Sequence, residues 1–262
     1  MSALGDQVGI VTGAGKGIGR AIAEELARAG AGVAVFDVDA DAAAAAAEQL
    51  QAIGVPARSY VVDVSRSADV DSAFERVHAD FGRLDIVVNN AGVSFVGPHI
   101  KDVTDDVWDR SIGVMQTGVF NCMRASTRYL LPQRSGSVVS ISSIRGFSSN
   151  PGRIAYCAAK AAVIMMTKVA AAEWAPYGVR ANAIAPGVQR TPMWDADVAL
   201  GVVDEDRVLR TTPAGRLGEP DEIGKLAVFL CSAEAGFING ACVTIDGALT
   251  CVPIDGEVTR PQ

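Results

Sequence analysis

Seven short runs rich in valine and isoleucine recur along the chain, with helix-length stretches between them: Val8 to Thr12, Gly32 to Phe36, Ser59 to Val64, Leu84 to Asn89, Ser137 to Ile141, Val179 to Ile184 and Ala241 to Ile245. Successive residues of a strand face opposite sides, and these runs are too uniformly apolar for either side to be left in water. Strands buried on both faces and separated by helical segments form a parallel sheet covered above and below. The expected fold class is α/β, a doubly wound, mainly parallel seven-stranded sheet with helices on both faces.

No linker rich in Pro, Gly or Ser breaks the alternation, so one domain over residues 1–262 is expected, a length that α/β folds often reach undivided. Two segments stand apart. Residues from about 188 to 213 contain Pro, Met, Trp and Asp with no strand to pair, and read as a mobile loop with short helical pieces over the substrate. Residues from about 248 to 262, with Pro253 and Pro261, read as an irregular tail. The alanine run Ala42 to Ala47 continues at helical spacing through Leu50 and Ile53 and reads as a surface helix capped by Asp39 or Asp41.

The net charge of −7 comes from 30 acidic and 23 basic residues, and no block of Lys and Arg is present to neutralise phosphates or anionic lipid. This argues against nucleic-acid and membrane partners, and no apolar stretch reads as approaching the roughly 20 residues that span a bilayer. Cys122, Cys157, Cys231, Cys242 and Cys251 are scattered without metal or dithiol spacing and read as buried free thiols of a reducing cytoplasm. His78 and His99 have no cluster of ligands around them and read as surface residues, so no metal is expected.

The first strand runs directly into Gly13-Ala14-Gly15-Lys16-Gly17-Ile18-Gly19 and then into a helical pattern. Glycines there allow a tight turn and close approach of backbone to a pyrophosphate, and the amides opening the helix supply partial positive charge. The spacing of Gly13, Gly17 and Gly19 is not the usual dinucleotide fingerprint. The second strand ends at Asp37, where a carboxylate accepts hydrogen bonds from the adenosine ribose hydroxyls and repels a 2′-phosphate. NAD is therefore expected over NADP, with Lys16 pulling the other way.

Tyr156 and Lys160 lie four apart in a helical stretch and share a face. At about 4 Å and an effective dielectric near 20, the ammonium would stabilise a phenolate by about 4 kcal/mol, enough to bring a phenol from about 10 toward 7, as a general base requires.

With Thr12 to Gly19, Asp63-Val64, Asn89-Asn90-Ala91-Gly92, Ser142-Ser143, Tyr156-x-x-x-Lys160 and Pro186-Gly187 followed by Thr191 in this order, the chain resembles the classical short-chain dehydrogenase/reductase family over nearly its whole length. The resemblance implies a Rossmann-like fold and hydride transfer between a secondary alcohol and a nicotinamide cofactor. It makes Tyr156 the proton acceptor or donor and Ser143 the partner of the reacting oxygen; Ser143 is preferred to Ser142 because it precedes Tyr156 by 13 residues. Lys160 would hold the nicotinamide ribose. Asp63 and Val64 would meet the adenine, Asn90, Ala91 and Gly92 the adenosine side, and Pro186, Gly187, Val188 and Thr191 the nicotinamide. A homotetramer built on the helical stretches Asp105 to Leu131 and Ile154 to Trp174 is implied as well.

Two positions depart from the family pattern: Met115 stands where the family usually has Asn, and Ser140 where Asn often precedes Ile-Ser-Ser. The intact Ser143, Tyr156 and Lys160 lead us to expect that Met115 permits turnover, and only local repacking is expected at Ser140. The substrate is expected among Ile144, Arg145, Arg153, Val188, Met193 and Trp194, with Val93 and Phe95 nearby. Arg145, Arg153 and Arg190 could form a cationic rim for an anionic substrate, although loop arginines more often face solvent. The alternatives are a 3-oxoacyl-thioester reductase, disfavoured by Asp37, and a non-catalytic dinucleotide-binding regulatory protein, motivated by Met115.

Overall fold

The computed structural model describes residues 3–93, 99–201 and 203–251. Its seven strands are β1 (Val8–Thr12), β2 (Gly32–Asp37), β3 (Ala57–Val61), β4 (Ile86–Asn89), β5 (Gly136–Ile141), β6 (Val179–Pro186) and β7 (Cys242–Ile245). They form one sheet in the order β3-β2-β1-β4-β5-β6-β7, and every pairing is parallel. The third strand ends earlier than its apolar run suggests. Val61 pairs with Asp37, the last residue of β2, and after one more bond from the Val62 amide to the Asp37 carbonyl there is no strand left to follow.

The helices are α1 (Gly17–Arg28), α2 (Ala40–Ile53), α3 (Ser67–Phe81), α4 (Asp105–Ile112), α5 (Gly118–Gln133), α6 (Ile154–Trp174), α7 (Pro192–Ala199), α8 (Glu205–Thr211) and α9 (Pro220–Cys231). Asp39 caps α2 by accepting from the Ala42 amide. The strands serve two cores by alternation. Val33 and Val35 pack with Ile22, Leu26, Leu50 and Leu230 from α1, α2 and α9, whereas Ala34 and Phe36 pack with Val70, Phe74, Val119 and Val163 from α3, α5 and α6. The inner strands β1, β2, β4, β5 and β6 are buried on both sides, as uniform apolar runs require, whereas the edge strands β3 and β7 keep exposed residues.

The stretch expected as one helix from Asp105 is divided: between α4 and α5, residues Gly113–Thr117 form a single π turn that contains the buried Met115. Such turns are rare and tend to sit at functional sites. The loop after β6 carries α7 and α8, in line with the short helical pieces anticipated there. In the tail, Leu249–Cys251 form a 3₁₀ turn, and residues 252–262, like Phe95, lie outside those described.

Two expectations need correction. Ile154–Tyr177 is long and apolar enough to cross a membrane by length and composition alone. Its alanines account for this, and here it is a core helix against β6, with Ala159, Lys160 and Val163 buried. Of the five free thiols, Cys122 and Cys231 are buried and Cys157 and Cys242 partly so, but Cys251 is exposed because it follows the last strand. His78 and His99 are exposed, and among the described residues no group of His, Cys, Asp and Glu could hold a metal.

Candidate active site

Where β1 gives way to α1 the chain turns through Gly13, at φ +63°; a Cβ there would lie 2.9 Å from the Ala91 Cα, and one on Gly19 only 2.2 Å from the Gly13 carbonyl oxygen. The turn is fastened to the end of β4. The amides of Asn90 and Ala91 donate to Thr12 Oγ1 at 2.9 and 3.0 Å, and Asn90 Nδ2 donates back to the carbonyls of Thr12 and Gly13. This is the point at which the strand order reverses on either side of β1, where open α/β sheets bind ligands. Sequence reasoning names Thr12 only as the start of the glycine motif and gives it no role; a hydroxyl closing an apolar strand just before the first glycine was the available signal.

A cleft of about 800 Å³ opens here, lined by Gly13, Lys16, Gly17, Ile18, Gly19, Asp37, Asp63, Val64, Asn90, Ala91 and Gly92. Gly15, expected among the cofactor contacts, is set against Asp37 beside this lining. A Cβ on Gly15 would meet Ala42 and the Asp37 carboxylate, to which the Gly15 amide donates at 2.9 Å. The other Asp37 oxygen accepts from the Asp39 amide at 3.0 Å. Lys16 pairs with Asp39 at 2.8 Å, and each partner favours the charged form of the other. A backbone too crowded for side chains, a helix N-terminus and a carboxylate at the end of β2 fit the pyrophosphate and adenosine ribose of a dinucleotide.

The other half of the cleft is lined by Ser142, Ser143, Tyr156, Lys160, Pro186, Gly187, Val188 and Thr191. Tyr156 and Lys160 rise from the first turns of α6, and Ser143 caps the turn after β5, accepting from the Arg145 amide. Ser143 also hydrogen-bonds the Tyr156 phenol, whereas Ser142 donates to the Lys160 carbonyl at 2.7 Å. Lys160 Nζ donates to the Ile141 carbonyl at 2.8 Å and lies 5.7 Å from the centre of the Tyr156 ring.

The proton affinities differ from those expected. Burial pushes the Tyr156 phenol above its ordinary value, opposed by the Ser143 hydrogen bond and by the charges of Arg153 and Arg145. Burial also brings the Lys160 ammonium down to about 8. The lysine therefore does not draw the phenol toward 7. Both groups are buried, and burial disfavours the charged form of each.

Ile144, Arg145, Arg153, Val93, Met193 and Trp194 all line this end, so the proposed substrate positions converge on one cleft. Trp194 donates its indole N–H to Glu205 at 3.0 Å, and Arg190 reaches the same carboxylate at 3.1 Å, which ties α7 to α8. Thr191 caps α7, accepting from the Trp194 amide. Asn150 and Asp197 also line this end. Sequence reasoning passes over Asn150 because it sits in an irregular segment, and over Asp197 because the short helix α7 carries no periodic apolar face to place it.

A family model described as enoyl-(acyl carrier protein) reductase matches residues 13–250. The 3-oxoacyl-[acyl-carrier-protein] reductase of Thermotoga maritima is 35% identical over 246 residues, which cover 94% of this chain and 98% of that protein. The D-threitol dehydrogenase of Mycolicibacterium smegmatis is 38% identical over 251 residues, 94% of each chain. The chain belongs to the short-chain dehydrogenase/reductase family. A gluconate 5-dehydrogenase from Burkholderia cenocepacia, solved in complex with NADP and tartrate, superposes with a TM-score of 0.89 at 35% identity, covering 95% of this chain and 97% of that one.

Within this short-chain dehydrogenase/reductase the departures from the family pattern have visible surroundings. Met115 is buried in the π turn and packs beside Gly92. Ser140 accepts from Asn89 Nδ2 at 3.1 Å, while the side-chain oxygen Asn89 Oδ1 is buried without a hydrogen-bond partner. A serine is too short to answer both ends of that amide.

Proposed function

We propose that this oxidoreductase interconverts a secondary alcohol and its ketone with NAD(H). The observation that carries the reading is the convergence of Ser143, Tyr156 and Lys160 at one end of a cleft whose other end holds the glycine turn and Asp37. The nicotinamide supplies the hydride acceptor or donor when bound. Ser143 fixes the substrate oxygen beside the Tyr156 phenol, which takes the hydroxyl proton in oxidation and returns it in reduction. Lys160, buried and anchored to the Ile141 carbonyl, would hold the nicotinamide ribose. Gly13 to Gly19 would cradle the pyrophosphate, Asp63 and Val64 the adenine, and Pro186 to Thr191 the carboxamide side.

Asp37 supports NAD, because a 2′-phosphate would meet both Asp37 and Asp39 while the nearby Lys16 is already paired. The partly exposed Phe120, Met165 and Val169 on α5 and α6 support a homotetramer, and the fold fits a cytoplasmic enzyme. Reduction of a 3-oxoacyl thioester is the second reading, supported by the likeness to the Thermotoga protein.

The test is the absorbance of reduced nicotinamide with NAD or NADP over a panel of secondary alcohols, diols, sugars, sterols and hydroxy acids, with an acetoacetyl thioester and NADPH in the reverse direction. Turnover with NAD that is lost in Tyr156→Phe is expected. Faster thioester reduction with NADPH would favour the second reading, and cofactor binding without turnover anywhere would point to a regulatory protein.

A further inference from the structure

Trp194 is held at two points. Its backbone amide donates to Oγ1 of Thr191, the cap of α7, and its indole N–H donates to Glu205 Oε2 at 3.0 Å, across to α8. The other carboxylate oxygen, Oε1, accepts from Arg190 Nη2 at 3.1 Å. Glu205, the first residue of α8, therefore grips the ring with one oxygen and the residue just before the α7 cap with the other. Trp194 lines the cleft, whereas neither Glu205 nor Arg190 does, so Arg190 takes no part in a cationic rim.

The surface this tie presents to the catalytic end is apolar. Among the described residues from α7 through α8, Pro192, Met193, Trp194, Val203 and Val208 border the cleft, and the one charged side chain beside them is Asp197, 3.8 Å from Arg153. Met193 stays half exposed there. An indole whose N–H is already bonded turns ring and not polar edge toward a ligand. Without that bond the ring would have to be ordered each time a ligand arrived, a cost that a fixed ring avoids.

We infer that Glu205 is a positioning residue for the substrate: it fixes the Trp194 indole as an apolar wall against which an aromatic or extended apolar arm, attached to the carbinol carbon, packs. This rests on the oxidoreductase reading above and narrows it to alcohols and ketones that carry such an arm. Glu205 touches neither the reacting atoms nor the cleft and takes no part in hydride or proton transfer. It acts on affinity through the ring it holds, so its influence grows with the size of the arm and vanishes for a substrate too small to reach Trp194.

The experiment sets 1-phenylethanol against 2-propanol, which share a methyl carbinol and differ in the arm, with NAD and with NADP, in wild type, Glu205→Ala and Glu205→Gln, alongside the panel above. We expect the aryl alcohol to be preferred at least about tenfold in kcat/KM, and Glu205→Ala to lose about three- to tenfold of that preference through a raised KM with kcat nearly unchanged. Glu205→Gln keeps an oxygen for the indole while giving up the charge that faces Arg190, and should retain the preference, a rescue that a merely structural ion pair would not give. Independently of turnover, acrylamide quenching of Trp194 fluorescence, taken as the difference from Trp194→Phe, should rise in Glu205→Ala but not in Glu205→Gln, and 1-phenylethanol should protect the ring in wild type. Turnover with no aryl preference or confined to polyols, a preference that survives Glu205→Ala or is lost equally in Glu205→Gln, or quenching equal in the three proteins would overturn the inference while leaving the oxidoreductase reading intact. No turnover anywhere on the panel, with quenching and protection as expected, would sink that reading and keep the wall; no turnover and no protection would sink both.

Discussion

Ser142 and Ser143 are consecutive, yet the Ser142 hydroxyl donates to the Lys160 carbonyl at 2.7 Å while Ser143 bonds the Tyr156 phenol. Extended backbone sends neighbouring side chains to opposite sides, so leaving β5 at this register gives one hydroxyl to the scaffold and one to the cleft. Ser143→Ala should lower kcat by roughly 10²- to 10³-fold, the usual loss on removing a donor to the reacting oxygen, with little change in stability. Ser142→Ala should cost about 1 kcal/mol, or about 2–4 °C in melting temperature, with a smaller effect on kcat. Steady-state rates and thermal melts of the two variants check this; equal kinetic losses would mean that the division of labour is wrong.

The buried Lys160 makes a second measurable demand. Its ammonium is brought down to about 8, from 10.5 in an exposed lysine. Between those values the unfolded chain binds a proton that the folded one lacks, so stability rises with pH across that window. Cys122 and Cys231, pushed up to about 12 by burial, and Cys242, pushed up to about 11, act in the opposite sense as pH rises from about 8 through 9, where unfolded thiols ionise, but they do so equally with and without Lys160. From pH 7 to 9 the cofactor-free protein should gain about 1 kcal/mol relative to Lys160→Met, the lysine's own contribution. Urea midpoints of both proteins across that range decide the matter, and parallel curves would show that the ammonium is not desolvated as described.

Much of the layered sheet was legible because strands rich in valine and isoleucine, with few polar residues, leave no wet face at the centre of the sheet, and that constraint is local. The limit of β3 was not legible: Val62 and Val64 are as apolar as their neighbours, and β3 stops because β2 stops at Asp37. The clustering of Tyr156, Lys160 and Ser143 followed from short spacings and a resemblance. The electrostatics did not, since a helical spacing of four says nothing about how deeply the two groups are buried. Asp197 was invisible for another reason: its partner Arg153 is 44 residues away and is brought near it only when α7 folds over the cleft.

At the adenosine end the prediction concerns selectivity. Asp37 holds the Gly15 and Asp39 amides and borders the cleft, so Asp37→Ala removes both a ribose acceptor and a support of the glycine turn. Loss of hydrogen bonds to a charged group of about 1.5–3 kcal/mol corresponds to a roughly 10- to 100-fold drop in kcat/KM with NAD. With NADP the drop should be smaller, because removal of the negative charge offsets the lost support. A second change, Asp39→Ala, should release Lys16 for the 2′-phosphate and narrow the gap further. Initial rates with both cofactors test the order; an unchanged NAD to NADP ratio in the double variant would remove Asp37 and Asp39 from cofactor choice.

The last prediction concerns Met115. Its side chain is 1% exposed and packs beside Gly92 inside the π turn, so it fills apolar space next to the catalytic end of the cleft. Because backbone groups of the turn are present whatever the side chain, Met115→Asn should change kcat by less than about tenfold. It should instead lower stability by roughly 1–3 kcal/mol, the cost of burying an amide without assured partners. Solvent isotope effects on kcat add a second readout, since a proton path limited by residue 115 would show a large effect in wild type that the asparagine relieves. A gain in turnover of orders of magnitude in Met115→Asn, accompanied by loss of that isotope effect, would mean that methionine throttles proton release in this enzyme.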